Sequence, residues 1–122
     1  MKISASATVI PVSDLEASVQ FFTQKFGFKQ TFRQEDYVGL EWDNCLVHLF
    51  SAANPNAKAA GSATVYIFCD DVDLIYQNLV DLGASIESEP QDYSYGMRDF
   101  EVADLDGNKF CFGSPVSETE SS

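Results

Sequence analysis

Apolar side chains recur at Leu15, Val19, Phe22 and Phe26, the spacing of one helical face, in a run that opens at Val12-Ser13-Asp14-Leu15-Glu16 and closes at Phe26-Gly27-Phe28. A second such run, Val72, Ile75, Tyr76, Leu79 and Leu82, opens after Cys69-Asp70-Asp71 and closes at Gly83-Ala84. Ser13 with Glu16 has the form of a capping box, and Asp71 is the expected N-cap of the second helix. Gly27 and Gly83 suit a left-handed residue just past each helix end, where a Cβ would cost energy. A β-type run precedes each helix, Ala7 to Val12 and Ala63 to Cys69.

The segments after the helices also repeat. Phe28 to Arg33, Tyr37 to Trp42 and Cys45 to Phe50 are strand-like, with an Asp43-Asn44 turn between the last two. Ala84 to Glu87, Arg98 to Ala103 and Lys109 to Phe112 follow the second helix, with an Asp106-Gly107 turn. Each half therefore reads strand, helix, strand, strand, strand. The fold class is α+β: two tandem βαβββ modules forming a curved mixed sheet with a concave cleft and the helices on the convex side. Module one spans 6–53, a Pro- and Asn-containing linker 54–62, module two 63–113 and a disordered polar tail 114–122, all within a single domain 1–122. Glu89 to Gly96 is expected to be a loop.

Strand alternation assigns faces. Val65, Ile67 and Cys69 oppose Thr64, Tyr66 and Phe68; Val47 and Leu49 oppose Leu46, His48 and Phe50. The β-branched sets suit the face under the helices, which leaves the aromatic sets on the open face. Trp42 has the opposite parity to Glu41 and is expected in the core.

Composition narrows the function. The 122 residues are 45% hydrophobic, enough to bury roughly two-thirds of the unfolded surface around one core. Nineteen acidic against seven basic residues give a net charge of -12, which argues against nucleic acid and anionic membrane surfaces and is compatible with a cationic ligand. Cys45, Cys69 and Cys111 lie in apolar runs with no C-x-x-C pair, as expected of buried thiols in a reducing compartment. No segment approaches the ~20 apolar residues of a membrane span, and Met1 to Val12 lacks the form of a signal peptide, so a cytoplasmic protein is expected.

The paired βαβββ pattern resembles the vicinal oxygen chelate superfamily, which holds glyoxalase I, extradiol dioxygenases, fosfomycin-resistance enzymes and bleomycin-resistance proteins. The likeness covers roughly Ser6 to Gly113. It is carried by Val12-Ser13-Asp14-Leu15-Glu16-Ala17-Ser18-Val19-Gln20-Phe21-Phe22 with Phe26-Gly27-Phe28, and by Tyr95-Gly96-Met97-Arg98-Asp99-Phe100 running into Asp104-Leu105-Asp106-Gly107-Asn108. Leu105 stands where the family usually has Pro. The chain is most similar to the bleomycin-resistance branch.

The resemblance implies four places for metal ligands, the first and last strand of each half. Alignment puts Ala7, Thr64, His48 and Cys111 there. Ala7 has no donor atom and a Thr hydroxyl is a poor ligand, so the set is incomplete, and neither Glu41 nor Glu101 has a spacing that favours it as a third. No metal and no cofactor are expected. The bleomycin-resistance likeness implies instead an aromatic groove at a homodimer interface that sandwiches a planar drug. The ligand-lining set is Phe32, Tyr37, Leu46, His48, Phe50, Tyr66, Phe68, Tyr95, Glu101 and Cys111. For each aromatic, plain core packing is the competing reading; for His48 it is a hydrogen bond on the open face without chemistry. Asp92, Asp99, Glu101 and Asp104 are expected at the cleft rim, where they would steer a cation, with Arg98 ion-paired to a neighbouring carboxylate.

The expected function is metal-free sequestration of a planar or cationic antibiotic or metabolite, bleomycin-type antibiotics among them. The rivals are a metal-dependent glyoxalase- or dioxygenase-like enzyme, a metal-free isomerase using His48, and an interaction module without a small ligand. A Cys111–His48 pair would be a reactive alternative.

Overall fold

The computed structural model describes residues 1–116. The element order is β1(Thr8–Val12), α1(Leu15–Lys25), β2(Lys29–Arg33), β3(Tyr37–Trp42), β4(Cys45–Ser51), β5(Thr64–Phe68), α2(Val72–Asp81), β6(Ser85–Asp92), β7(Met97–Ala103) and β8(Lys109–Pro115). This is the βαβββ unit twice. Backbone pairing organises the eight strands as two mixed four-stranded sheets, β1-β4-β3-β2 and β5-β8-β7-β6, and the chain divides into two compact units between Ala63 and Thr64. In each sheet the first strand runs parallel to the last and the other pairs are antiparallel.

In the first unit Val38, Leu40, Val47 and Leu49 are buried at alternate strand positions together with Ile10, while Val19 and Phe22 supply the helix side. Register explains the layer: Ile10 and Val38 both lie opposite Leu49, and Leu40 opposite Val47, so one face is continuously apolar. Phe22, Phe26 and Phe28 pack edge-on or tilted at centroid distances of 5.3–6.2 Å. Trp42 joins them on this face, 5.5 Å from Phe28, as its parity requires.

The second unit repeats the scheme with Phe100 opposite Phe112 and Val102 opposite Phe110, all buried. Phe100 and Phe112 stack at 5.5 Å and 18°, and Tyr76 of α2 meets Phe100 edge-on. Leu82, expected in the apolar stripe, is instead 43% exposed, because it is the C-cap and lies beyond the last helical turn.

The helix ends correct two expectations. The N-cap of α1 is Asp14, whose Oδ1 accepts from the Ala17 N–H, one residue later than the Ser13 capping box proposed. Asp71 caps α2 as expected, accepting from the Leu74 N–H. Gly83 has φ 80° and closes α2 with the Gly83 N–H to Val80 and the Ala84 N–H to Leu79, a Schellman pair. Gly27 is not among the positive-φ glycines; it is required because a Cβ there would overlap the Trp42 indole.

Two boundaries also move. β6 extends through Asp92, so 89–92 are strand and only the turn around Tyr93–Gly96 remains of the expected loop. The strand survives Pro90 because β6 is an edge with register irregularities against β7. β8 continues through Ser114 and Pro115, residues expected in a disordered tail; 117–122 of that expected tail lie outside the described residues.

Candidate functional site

The open sheet face of each unit collects most of the residues singled out above. In the first unit His48 and Phe50 of β4 lie opposite Gly39 and Tyr37 of β3, and Gly39 lies opposite Phe32 of β2. The Phe32 ring occupies the space over Gly39 that a Cβ would fill. It thereby reaches the His48 ring edge-on at 5.1 Å and stacks on Tyr37 at 6.2 Å and 19°. Tyr37 meets Phe50 at 5.2 Å, and its hydroxyl is 3.0 Å from His48 Nδ1. Leu46 lies on the same face, opposite Glu41. Phe32, Tyr37, Leu46, His48 and Phe50 are thus brought together, half-buried or exposed rather than in the core.

The second unit uses the same device with different chemistry. Tyr66 lies opposite Cys111, which in turn lies opposite Glu101; one step along, Phe68 lies opposite Gly113 and Gly113 opposite Asp99. The Tyr66 ring leans diagonally across Gly113, where any Cβ would overlap its hydroxyl, and that hydroxyl donates to Asp99 Oδ2 at 2.9 Å. Tyr95, from the turn before β7, donates to the same oxygen at 2.6 Å. Tyr93 stacks on Tyr95 with ring planes only 2° apart. Phe68 packs against Tyr66 at 5.2 Å yet is 76% exposed, and Tyr95 is 62% exposed.

Asp99 ties this face together, beyond the rim position expected of it. It is 5% exposed, under the two phenols. The signal was available: Asp99 shares strand parity with Glu101, opposite to buried Phe100 and Val102. Tyr93, which stacks on Tyr95, is not in the expected ligand-lining set. Asp104 does not join the acidic set. Its Oδ1 accepts from the Asp106 and Asn108 N–H groups at 2.9 and 2.8 Å, and its Oδ2 from Asn108 Nδ2 at 2.8 Å, which fastens the β7–β8 turn. Arg98 pairs with Asp73 at 3.0 Å and Asp92 at 3.2 Å, as expected of it.

The electrostatics follow from Asp99. Burial, then the charges of Asp99 and Glu101, push the Cys111 thiol up to about 12. The Tyr95 hydroxyl is pushed up to about 12, first by its hydrogen bond to Asp99. Tyr66 rises as well, by burial and then the same hydrogen bond. A thiol this hard to ionise is a poor nucleophile near neutral pH, which weighs against the reactive cysteine reading.

The metal positions can be tested on the same grounds. Ala7 offers no donor and Thr64 only an exposed hydroxyl, so His48 and Cys111 are the two aligned positions with a usable donor atom. Among the described residues no three His, Cys, Asp or Glu side chains gather as a ligand set. The donors present do not fit a catalytic divalent ion, which needs at least three.

A chain of two βαβββ units with aromatic open faces falls in the glyoxalase-type fold class. The Glyoxalase/Bleomycin resistance protein/Dioxygenase superfamily profile matches residues 5–112, and the chain belongs to that superfamily. It is 25% identical to a bleomycin resistance protein of Geobacillus stearothermophilus, over 88% of this chain and 93% of the relative, and equally to one of Staphylococcus aureus. Among solved structures it resembles TioX from Micromonospora sp. ML1, with a TM-score of 0.80, 22% identity and coverage of 93% of this chain and 99% of that one. The bleomycin resistance determinant encoded on transposon Tn5 aligns with a TM-score of 0.77 and 17% identity, over 94% of this chain and 100% of that one. These structural likenesses speak to the fold. Among the described residues no helix is long and apolar enough to cross a membrane.

Proposed function

We propose that the protein binds and sequesters a planar or cationic small molecule, an antibiotic of the bleomycin type or a metabolite, without a metal and as a cytoplasmic homodimer. The observation that carries this reading is the set of rings left outside the core on the open face of the second sheet. Tyr66, Phe68 and Tyr95 are 38%, 76% and 62% exposed, whereas Phe100, Phe110 and Phe112 on the opposite face are essentially fully buried. Two of the exposed rings are held by hydroxyl bonds to Asp99. Their rotamers are set before any ligand arrives, so binding loses little further side-chain entropy. Flat, pre-positioned rings favour a flat partner through stacking and exclusion of water. The likeness to bleomycin resistance proteins points the same way.

Titration with bleomycin and a panel of planar aromatics, followed by quenching of Tyr and Trp42 emission, tests this reading. Saturable binding weakened roughly tenfold or more by Tyr66→Ala or Tyr95→Ala is expected, since both rings are partly exposed and their loss opens no core cavity. Absence of any saturable ligand, or a stoichiometric metal accompanied by turnover, would overturn it. Sedimentation of the free protein tests the dimer.

A further inference from the structure

Among the described residues the second unit holds a buried carboxylate, Asp99, that forms no ion pair with a basic side chain. Asp99 is nine-tenths buried and receives two phenol hydroxyls, which are neutral donors. Glu101 follows on the same face. The unit has two basic side chains, and neither pairs with Asp99: Arg98 is held by Asp73 and Asp92 on the far side of β7, and Lys109 by Glu87, with Glu101 adding to the field around it. The charge of Asp99 is visible in its neighbours, since it contributes to holding the proton on Tyr66, Tyr95 and Cys111.

We propose that this face binds a planar organic cation of the amidinium or guanidinium class, with Asp99 as counter-ion and the Tyr66 and Tyr95 rings as walls. The inference rests on the small-molecule reading above and adds the charge and shape of the guest. A delocalised planar cation is weakly hydrated, lies flat on a ring and offers N–H donors in its plane to a carboxylate. A compact ammonium is more costly to strip of water, and a bare metal ion lacks its ligands here. The phenols serve both parts: their hydroxyls orient the carboxylate, and their π-faces remain for the guest.

The experiment compares benzamidine, a planar cation at neutral pH, with benzamide, a neutral molecule of nearly the same shape, by NMR titration. Benzamidine is expected to bind roughly tenfold or more tightly than benzamide, and added salt should weaken benzamidine alone. Asp99→Asn should abolish the preference, bringing benzamidine and benzamide to the same affinity in that variant. Should that variant fail to give a folded spectrum, Glu101→Gln should lower the preference, and the salt series on the unaltered protein stands independently. Equal affinity for the two probes, or a preference that survives Asp99→Asn, overturns the inference. If both probes bind equally and Tyr66→Ala weakens both, the charge inference falls and ring binding survives. If neither probe nor any member of the aromatic panel binds, both fall.

Discussion

Asp104 offers a sharp test of how the ligand face is built, because its effect can be worked from three bonds. The carboxylate takes the Asp106 and Asn108 N–H groups and the Asn108 amide, in a turn where Asp104 is 7% exposed and Asn108 is 0% exposed. Hydrogen bonds to a charged group contribute roughly 1.5–3 kcal/mol each, and a buried donor left without a partner costs about 1–3 kcal/mol. In Asp104→Ala all three bonds are lost, two of them from the fully buried Asn108, while the half-buried Asp106 N–H can turn to water. Burial of the charge offsets part of the gain, as the upward shift of the Asp104 carboxyl shows. A net loss of about 3–5 kcal/mol is expected, a large share of the ~5–15 kcal/mol typical of a domain. For an m-value of about 2 kcal/mol/M the urea midpoint should fall by roughly 2 M. Asp104→Asn keeps the acceptor for the two backbone groups but sets one amide against another, so it should lose less, about 1–2 kcal/mol. The turn sets the register of Ala103 against Lys109, and through it Glu101 against Cys111 and Asp99 against Gly113. Urea unfolding followed by circular dichroism measures the loss. A change below about 1 kcal/mol for Asp104→Ala would refute the claim that this carboxylate organises the turn.

Two further perturbations probe the face itself. Gly113→Ala should cost about 1–3 kcal/mol by overpacking and detach Tyr66 from Asp99. Because the closest atom to the new methyl is the Tyr66 hydroxyl, adding Tyr66→Phe should recover part of that loss in thermal melts; a purely additive double variant would contradict the overlap. Cys111 titrates near 9.0 when unperturbed and about 12 in the folded chain. Its contribution to stability is therefore complete below pH 9.0 and lost as pH rises towards 12, since over that range the unfolded chain gives up a proton the folded chain retains. Urea midpoints measured across this range should fall, and fall less steeply in Cys111→Ala; identical slopes would show that the thiol is not held protonated.

Much of the fold was legible because its signals are local. The 3.6-residue spacing of Leu15, Val19 and Phe22, the Asp71 cap and the Asp43-Asn44 and Asp106-Gly107 turns depend on neighbours only a few positions away. Both modules and the open-face parity of Tyr66 and His48 follow from them. The errors arose where neighbours in space decide. Gly27 is a glycine because Trp42, fifteen residues later, passes over it, and 89–92 are strand because β7 pairs with them.

The sequence by itself determined the two βαβββ units, the faces of β4 and β5 and the acidic character. These follow from short-range periodicity and side-chain chemistry, which need no coordinates. Only the tertiary structure decided that Asp99 sits beneath two tyrosines, that Gly39 and Gly113 exist to let rings cross them, and that Asp104 serves a turn rather than a ligand. Tyr66 and Asp99 are 33 residues apart in the chain and meet through the pairing of three strands. Strand register is set by contacts between whole elements, and a sequence pattern that looks along one strand at a time does not contain it.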